Sequence, residues 1–244
     1  MHTAIFHGVN SSLFFFQETG TLVDGLHRGK EVHFSLMPPE ALHQLEQHSG
    51  IFGHLDNILF THLHIDHYDR RLLEQAADIT PRPLIYGPEL ELTNTAVQPL
   101  GDGLYQVPLR GAVLYAKNTI HDGAEFARDP HQSLLLEIGE ERFFIAGDAK
   151  FLPQEAEVFL KLSGGNITAG FFNLYQFWSP ESIAFMQALA PERLFLNHMP
   201  VKEEDPFGYH RLSRQIIRRL PPELGRPELL ENMAWVDGRT PKLV

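Results

Sequence analysis

Thr61-His62-Leu63-His64-Ile65-Asp66-His67 sets three imidazoles and a carboxylate in one short run, directly after the apolar Asn57-Ile58-Leu59-Phe60. An apolar run that ends in a dense polar cluster is the pattern of a buried strand whose far end opens into a functional loop. Residues two apart on an extended segment project to the same side, so His62 and His64 are spaced to share one metal ion. A turn beyond them lets Asp66 and His67 face a second ion. This four-residue pattern arises in a random chain of such composition with a probability of roughly 0.002, which puts a merely solvated histidine-rich loop well behind a metal site.

The chain around this loop has 244 residues, with 20 Lys+Arg against 31 Asp+Glu and a formal net charge of −11, so a basic nucleic-acid module is disfavoured. A single domain of this length buries roughly 70–75% of its unfolded surface, enough for a core without covalent staples. There are no cysteines, hence no disulfide framework, no thiolate nucleophile and no sulfur ligand; any metal must be held by nitrogen and oxygen. Fourteen histidines in an acidic chain are the unusual supply of such atoms. The first apolar run, residues 13–16, is too short for a signal-peptide core, and no later one reaches the ~18 residues of a spanning helix, so a cytoplasmic protein is expected.

Hydrophobic patterning predicts a strand hairpin over 12–16 and 21–24, a helix from Pro38-Pro39-Glu40 to Gly50, a strand at 57–60 and a helix over 69–77. Further strands are predicted at 84–86, 104–107, 112–115, 133–138 and 142–145. Helices over 154–162 and 181–189 alternate with strands at 167–173 and 193–196, and 209–220 is the last predicted helix. No repeat, low-complexity tract or linker divides the sequence, so one domain over 1–244 is expected. Sheets inside and helices outside is the natural packing of this α/β mixture.

At the histidine-rich loop the sequence resembles the metallo-β-lactamase superfamily, whose signature His-x-His-x-Asp-His appears as His62 to His67. Three later segments follow in the family's order: Thr119-Ile120-His121-Asp122-Gly123, Phe144-Ile145-Ala146-Gly147-Asp148 and Leu194-Phe195-Leu196-Asn197-His198. The resemblance implies an α/β layered fold, the αββα sandwich, with two central mixed β-sheets flanked by helices. It also implies a dinuclear site in which His62, His64 and His121 hold one divalent ion, Asp66, His67 and His198 hold the other, and Asp148 bridges them. Two cations in such a site lower the pKa of a bridging water, deliver hydroxide to a carbonyl or phosphoryl centre and stabilise the oxyanion. Asp66 is then the catalytic carboxylate, orienting the hydroxide or shuttling a proton. Asp24, in Leu22-Val23-Asp24-Gly25, resembles the early Asp that supports the first histidine-rich loop from behind; an Asp in a β-turn before Gly is the competing reading.

Nitrogen and oxygen donors suit zinc, manganese or iron, with zinc the first expectation. The lack of cysteine departs from those β-lactamases that use one at the second metal, which sets antibiotic hydrolysis aside. His64 stands where the diiron oxygen-reducing branch carries Glu, so an iron-dependent oxidoreductase is less favoured. Trp178-Ser179-Pro180-Glu181-Ser182, the helix after it, Ala190-Pro191-Glu192-Arg193 and the terminal Asn197-His198 resemble the branch of small metal-dependent hydrolases containing the L-ascorbate-6-phosphate lactonase. That branch implies a small-molecule substrate, a lactone, possibly phosphorylated; the acidic composition points away from nucleic acid and the short apolar runs away from a membrane span, while a homo-oligomer stays open. A small phosphodiesterase of the same fold and a non-catalytic metal sensor or interaction module are also compatible with these residues.

Tyr68, Tyr175, Phe177 and Trp178 are candidates for a pocket wall, and Arg70, Arg71, Lys150 and Lys202 for a substrate anion. His131 and His210 lie near the motif segments and are pocket candidates. His2, His7, His27, His33, His43, His48 and His54 have no ligand-like spacing and read as structural or solvated.

Overall fold

In the strand Leu13-Phe14-Phe15-Phe16 the side chains alternate between two cores. Leu13 and Phe15 point at a second sheet, where the Phe15 ring meets Phe143 and Phe171 at centroid distances of 4.9 and 5.7 Å, while Phe14 points the other way into a layer of helices. This period of two, repeated along the strands, fixes a layered molecule. The computed structural model describes residues 2–28 and 33–236.

The first sheet contains β1 (Ala4–His7), β2 (Leu13–Phe16), β3 (Gly20–Val23), β4 (Asn57–Leu59) and β5 (Leu84–Tyr86) in sequence order, antiparallel from β1 to β3 and parallel from β3 to β5. The second holds β6 (Gln98–Gly101), β7 (Leu104–Leu109) and β8 (Ala112–Asn118); β9 (Ile120–His121) leaves it, and β10 (Gln132–Ile138) and β11 (Glu141–Ile145) return. β12 (Ala149–Lys150) pairs with β9 in a two-stranded ribbon. The second sheet then continues in parallel through β13 (Ala169–Phe172), β14 (Arg193–Leu196) and β15 (Glu228–Leu229), and β16 (Ala234–Trp235) crosses back to pair with β1.

Three apolar clusters fill the spaces between layers. Leu13, Phe15, Val23 and Leu59 meet Leu134, Leu136, Ile145 and Phe171 between the sheets. Phe14, Leu22 and Ile58 meet Leu45 of α1 (Pro39–Glu46) and Leu72 and Leu73 of α2 (Arg70–Ala77) on one outer face. Leu135, Phe144 and Phe172 meet Phe159 of α3 (Ala156–Ser163) and Phe185 and Met186 of α4 (Pro180–Leu189) on the other, with α5 (Tyr209–Ile217) alongside. The order is helix, sheet, sheet, helix: two mixed sheets flanked by helices, as the resemblance implies.

Some elements differ from expectation. The helix predicted to run to Gly50 ends at Glu46, and residues Gly50–His54 form a separate 3-10 turn. The last helix stops at Ile217 instead of Leu220, and the one predicted from Gln154 begins as a 3-10 turn over Pro153–Glu155 before α3. β1, β6, β15 and β16 are unforeseen edge or short strands, whose pairing with a neighbour supplies what their own sequences do not.

The arrangement matters for function because both sheets have parallel halves. Asp24 follows β3 and Thr61 lies just past β4; Asp148, Asn173 and His198 follow β11, β13 and β14. Loops at the carboxyl ends of parallel strands are where such sheets place their ligands.

Candidate metal centre

The loop after β4 is held from behind before it reaches any ligand. Asp24 is wholly buried and lies in the left-handed region at φ 49°, which an Asp tolerates better than most residues. One of its oxygens accepts the Thr61 backbone N–H at 2.8 Å and the other the Thr61 hydroxyl at 2.7 Å. That second oxygen also faces His67 Nδ1 at 3.1 Å, and the Ser11 hydroxyl stands 3.0 Å from the same nitrogen. Asp24 thus ties the start of the loop to the Nδ1 side of the His67 ring.

His62, His67 and His121 are buried, and in each Nε2 has no hydrogen-bond partner. A buried unpaired imidazole nitrogen costs about 1–3 kcal/mol. These three nitrogens surround one carboxylate oxygen, Oδ2 of Asp148, at 3.9, 3.6 and 3.8 Å. Those gaps are too long for hydrogen bonds. Ligand atoms held at about 2.0–2.2 Å around one tetrahedral ion stand roughly 3.3–3.6 Å apart, so donors spaced a little wider than this suit divalent metal. Within the described residues, ligand-type atoms fall into three overlapping groups: His62, His64 and His121; His62, His67 and Asp148; and Asp66, His67 and His198. All seven residues expected as ligands are thus brought to one place.

His64 turns its Nε2 to the Asp129 carboxylate at 2.9 Å, which leaves Nδ1 as the nitrogen free for the cluster. His198, at φ 58°, presents Nε2 to Asp66 at 3.1 Å and Nδ1 to Asp148 at 3.0 Å. Burial disfavours its charge, but the Asp148 carboxylate and the hydrogen bonds to Asp148 and Asp66 prevail and push the ring up to about 9. Asp66 goes the other way: burial favours its neutral acid, yet the neighbouring His67 charge and the His198 hydrogen bond draw it down to about 2.

Three further residues support Asp148, of which the sequence singles out only His131, as a pocket candidate. His131 Nε2 accepts the Asp148 backbone N–H at 2.9 Å, so its proton is on Nδ1, donated to the Thr119 hydroxyl at 2.8 Å. Burial holds His131 down to about 3, consistent with a neutral ring that positions Asp148 and is not itself a ligand. Asn173 donates to Asp148 Oδ1 at 2.9 Å, and Gln176 donates to the carbonyls of Gly147 and Ala149 at 3.0 and 2.9 Å. Gly147 sits at φ 59°, and a Cβ there would lie 2.6 Å from His131 Nε2 and 2.9 Å from Thr61 Cβ, so only glycine admits this approach of the two loops. The weak signal for Asn173 is its place, a polar residue directly after a parallel strand.

The cluster opens into a cavity of about 420 Å³. Phe126 packs against His64 and His121 at 5.0 and 5.2 Å, and Phe34 stacks on His198 at 4.2 Å. His33 and Tyr175 also line it, and the Tyr209 hydroxyl bridges them, 2.8 Å from His33 Nδ1 and 3.1 Å from the Tyr175 hydroxyl. His33 therefore belongs to the site wall, contrary to the reading from its spacing. Of the aromatic candidates, Phe177 is buried in the outer core, Tyr68 packs on Phe60, and Trp178 is exposed. Arg70 is paired with Glu74 and Glu91 on the surface, and Arg71, Lys150 and Lys202 are likewise outside the described cavity wall. His210 is outside it too; its Nε2 meets the Pro200 carbonyl at 2.8 Å, two residues beyond His198.

No protein-family model and no curated protein sequence matches the chain. Solved structures do. An isothiocyanate hydrolase from Delia radicum gut bacteria is 13% identical with a TM-score of 0.63, over 96% of this chain and 98% of that one. The metallo-β-lactamase fold protein YhfI from Bacillus subtilis is 15% identical with a TM-score of 0.61 over the same shares. CmlA, a diiron β-hydroxylase from Streptomyces venezuelae, is 14% identical with a TM-score of 0.64; the match covers 94% of this chain and 53% of that one. The fold of this protein is the metallo-β-lactamase fold, and its His/Asp cluster is the kind of donor set that binds divalent metal.

Proposed function

We propose that this protein is a metal-dependent hydrolase with two divalent ions per chain. His62, His64 and His121 would hold one ion and Asp66, His67 and His198 the other, with Asp148 between them. The observation that carries this reading is the set of three unpartnered, buried Nε2 atoms around a single Asp148 oxygen. When bound, such ions make water acidic near neutral pH and neutralise the charge that develops on an attacked carbonyl or phosphoryl oxygen.

The chain's own groups do the rest. Asp66 reaches the cavity and would take a proton from the attacking water and return it to the leaving oxygen. Asp24 and Ser11 hold the His67 ring, and His131 and Asn173 hold Asp148. No serine or cysteine nucleophile is needed. Within the superfamily, the stretch from Trp178 to His198 supports the lactonase-like branch, so a carboxylic ester in a ring is our first substrate class and a small phosphoester the second. Zinc is our first choice of metal.

Metal analysis of the purified chain by inductively coupled plasma mass spectrometry tests the site, with about two zinc or manganese ions expected. Redox-active iron in their place would favour an oxidoreductase, and a chain that stays metal-free after reconstitution would sink the assignment. Asp66→Asn is expected to lower turnover by about 10²–10⁴-fold, as removal of a general acid-base group does. Wild-type turnover in that variant would refute the role given to Asp66.

A further inference from the structure

The residues around the cluster differ in character from the cluster itself. One aromatic ring stands at each end: Phe126 lies against His64 and His121, and Phe34 lies flat on His198 with an interplanar angle of 9°. Tyr175, 45% exposed, adds a third ring to the wall. The same wall carries two exposed carboxylates, Asp122 and Glu125, on the loop that follows β9. Phe126 is tied into that loop by its backbone, donating to the Gly123 carbonyl at 3.1 Å and accepting from the Asp129 N–H at 2.8 Å. Asp129 in turn bonds His64, so the loop that presents both the ring and the acids is anchored on the metal cluster.

Aromatic faces bind apolar groups, and carboxylates on the wall of a cleft raise the local cost of an incoming anion. The whole chain adds to that field with its net charge of −11. Resting on the hydrolase reading, we infer that the substrate is a small uncharged molecule with an aromatic or branched apolar substituent, seated against Phe126 and Phe34, and that Asp122 and Glu125 select against a phosphorylated one. The cavity volume of about 420 Å³ suits a ligand of that size.

Two probes decide it: a γ-butyrolactone bearing a phenyl group and one bearing a phosphate monoester, each given to the zinc-loaded full chain. The phenyl lactone is expected to be preferred at least tenfold in kcat/KM. Phe126→Ala should reduce that preference several-fold through KM, with the zinc content unchanged, and Glu125→Gln should raise kcat/KM for the phosphorylated lactone. Equal or better use of the phosphorylated lactone by the wild type overturns the inference. If neither lactone is hydrolysed while zinc is bound, the hydrolase reading fails for this bond. Calorimetric binding of the same two intact lactones then decides the selectivity: tighter binding of the phenyl lactone supports it, and tighter binding of the phosphorylated one, or of neither, overturns it.

Discussion

Asp24 makes three polar contacts with two oxygens, and each would be altered by a single atom change. In Asp24→Asn the amide keeps one acceptor, loses the negative charge beside His67 Nδ1, and turns a donor towards either the Thr61 hydroxyl or the Thr61 N–H. Loss of such a carboxylate behind a ligand imidazole typically costs 10–100-fold in metal affinity. Competition with a chelator should show that loss for the ion near His67, and an unchanged affinity would mean that Ser11 alone orients the ring. His27 gives a second test at this scale. It is wholly buried, and burial, with the nearby His67 charge, pulls it down to about 4. Its ordinary value is 6.5, so below that pH the unfolded chain binds the proton more readily than the folded one. Stability from a neutral His27 is therefore present above about pH 6.5 and is lost as pH falls towards 4. His27→Leu should flatten that acid limb in denaturant titrations between pH 6.5 and 4; an identical pH profile would assign the acid sensitivity to other groups.

At the scale of elements, α2 shows how local chemistry closes the loop. Asp69 accepts the Leu72 N–H at 2.9 Å as N-cap, and its own N–H reaches the Leu26 carbonyl, so the helix starts where the histidine-rich turn ends. Asp69→Ala should cost about 0.5–2 kcal/mol of stability, read as a shift in the urea midpoint with the slope unchanged. This element was legible: the cap residue and the amphipathic run from Leu72 to Ala77 are both local signals. So were β4, β5 and β14, which are short apolar runs between polar segments. β1, β15 and β16 were not, because Ala4–His7 exists as a strand only through the register that joins it to β2 on one side and Trp235 on the other. The site divides in the same way. His62, His64, Asp66 and His67 could be found because they stand in motif spacing, and His121, Asp148 and His198 through the order of segments that the resemblance implies, whereas His131 acts through a backbone N–H seventeen positions away and Asn173 through a carboxylate in the turn after β11. Contacts of that kind depend on which strands adjoin, and spacing along the chain does not encode them.

For the whole molecule, the seven residues matter by where they originate. His62, His64, Asp66 and His67 come from the loop at the carboxyl end of β4 in the first sheet, and His121, Asp148 and His198 from the ribbon and from loops at the carboxyl ends of β11 and β14 in the second. Ions held between them would join the two sheets at the end where apolar packing gives way to polar loops. Removing such ions would leave buried Nε2 atoms without partners and two neighbouring carboxylates, Asp66 and Asp148, facing the same His198 ring. Because metal binds the folded arrangement and far less the open chain, its binding energy adds to folding stability, about 2.7 kcal/mol at a free metal concentration 100 times Kd. For a chain of this size each kcal/mol moves Tm by about 2–4 °C, so chelation should lower Tm by roughly 5–10 °C. Zinc titrated back should restore it, with the rise saturating at about two ions per chain. A Tm indifferent to chelation, in protein shown to have bound metal beforehand, would mean that the loops of the two sheets are already fixed by their own packing and that the ions serve chemistry without bracing the fold.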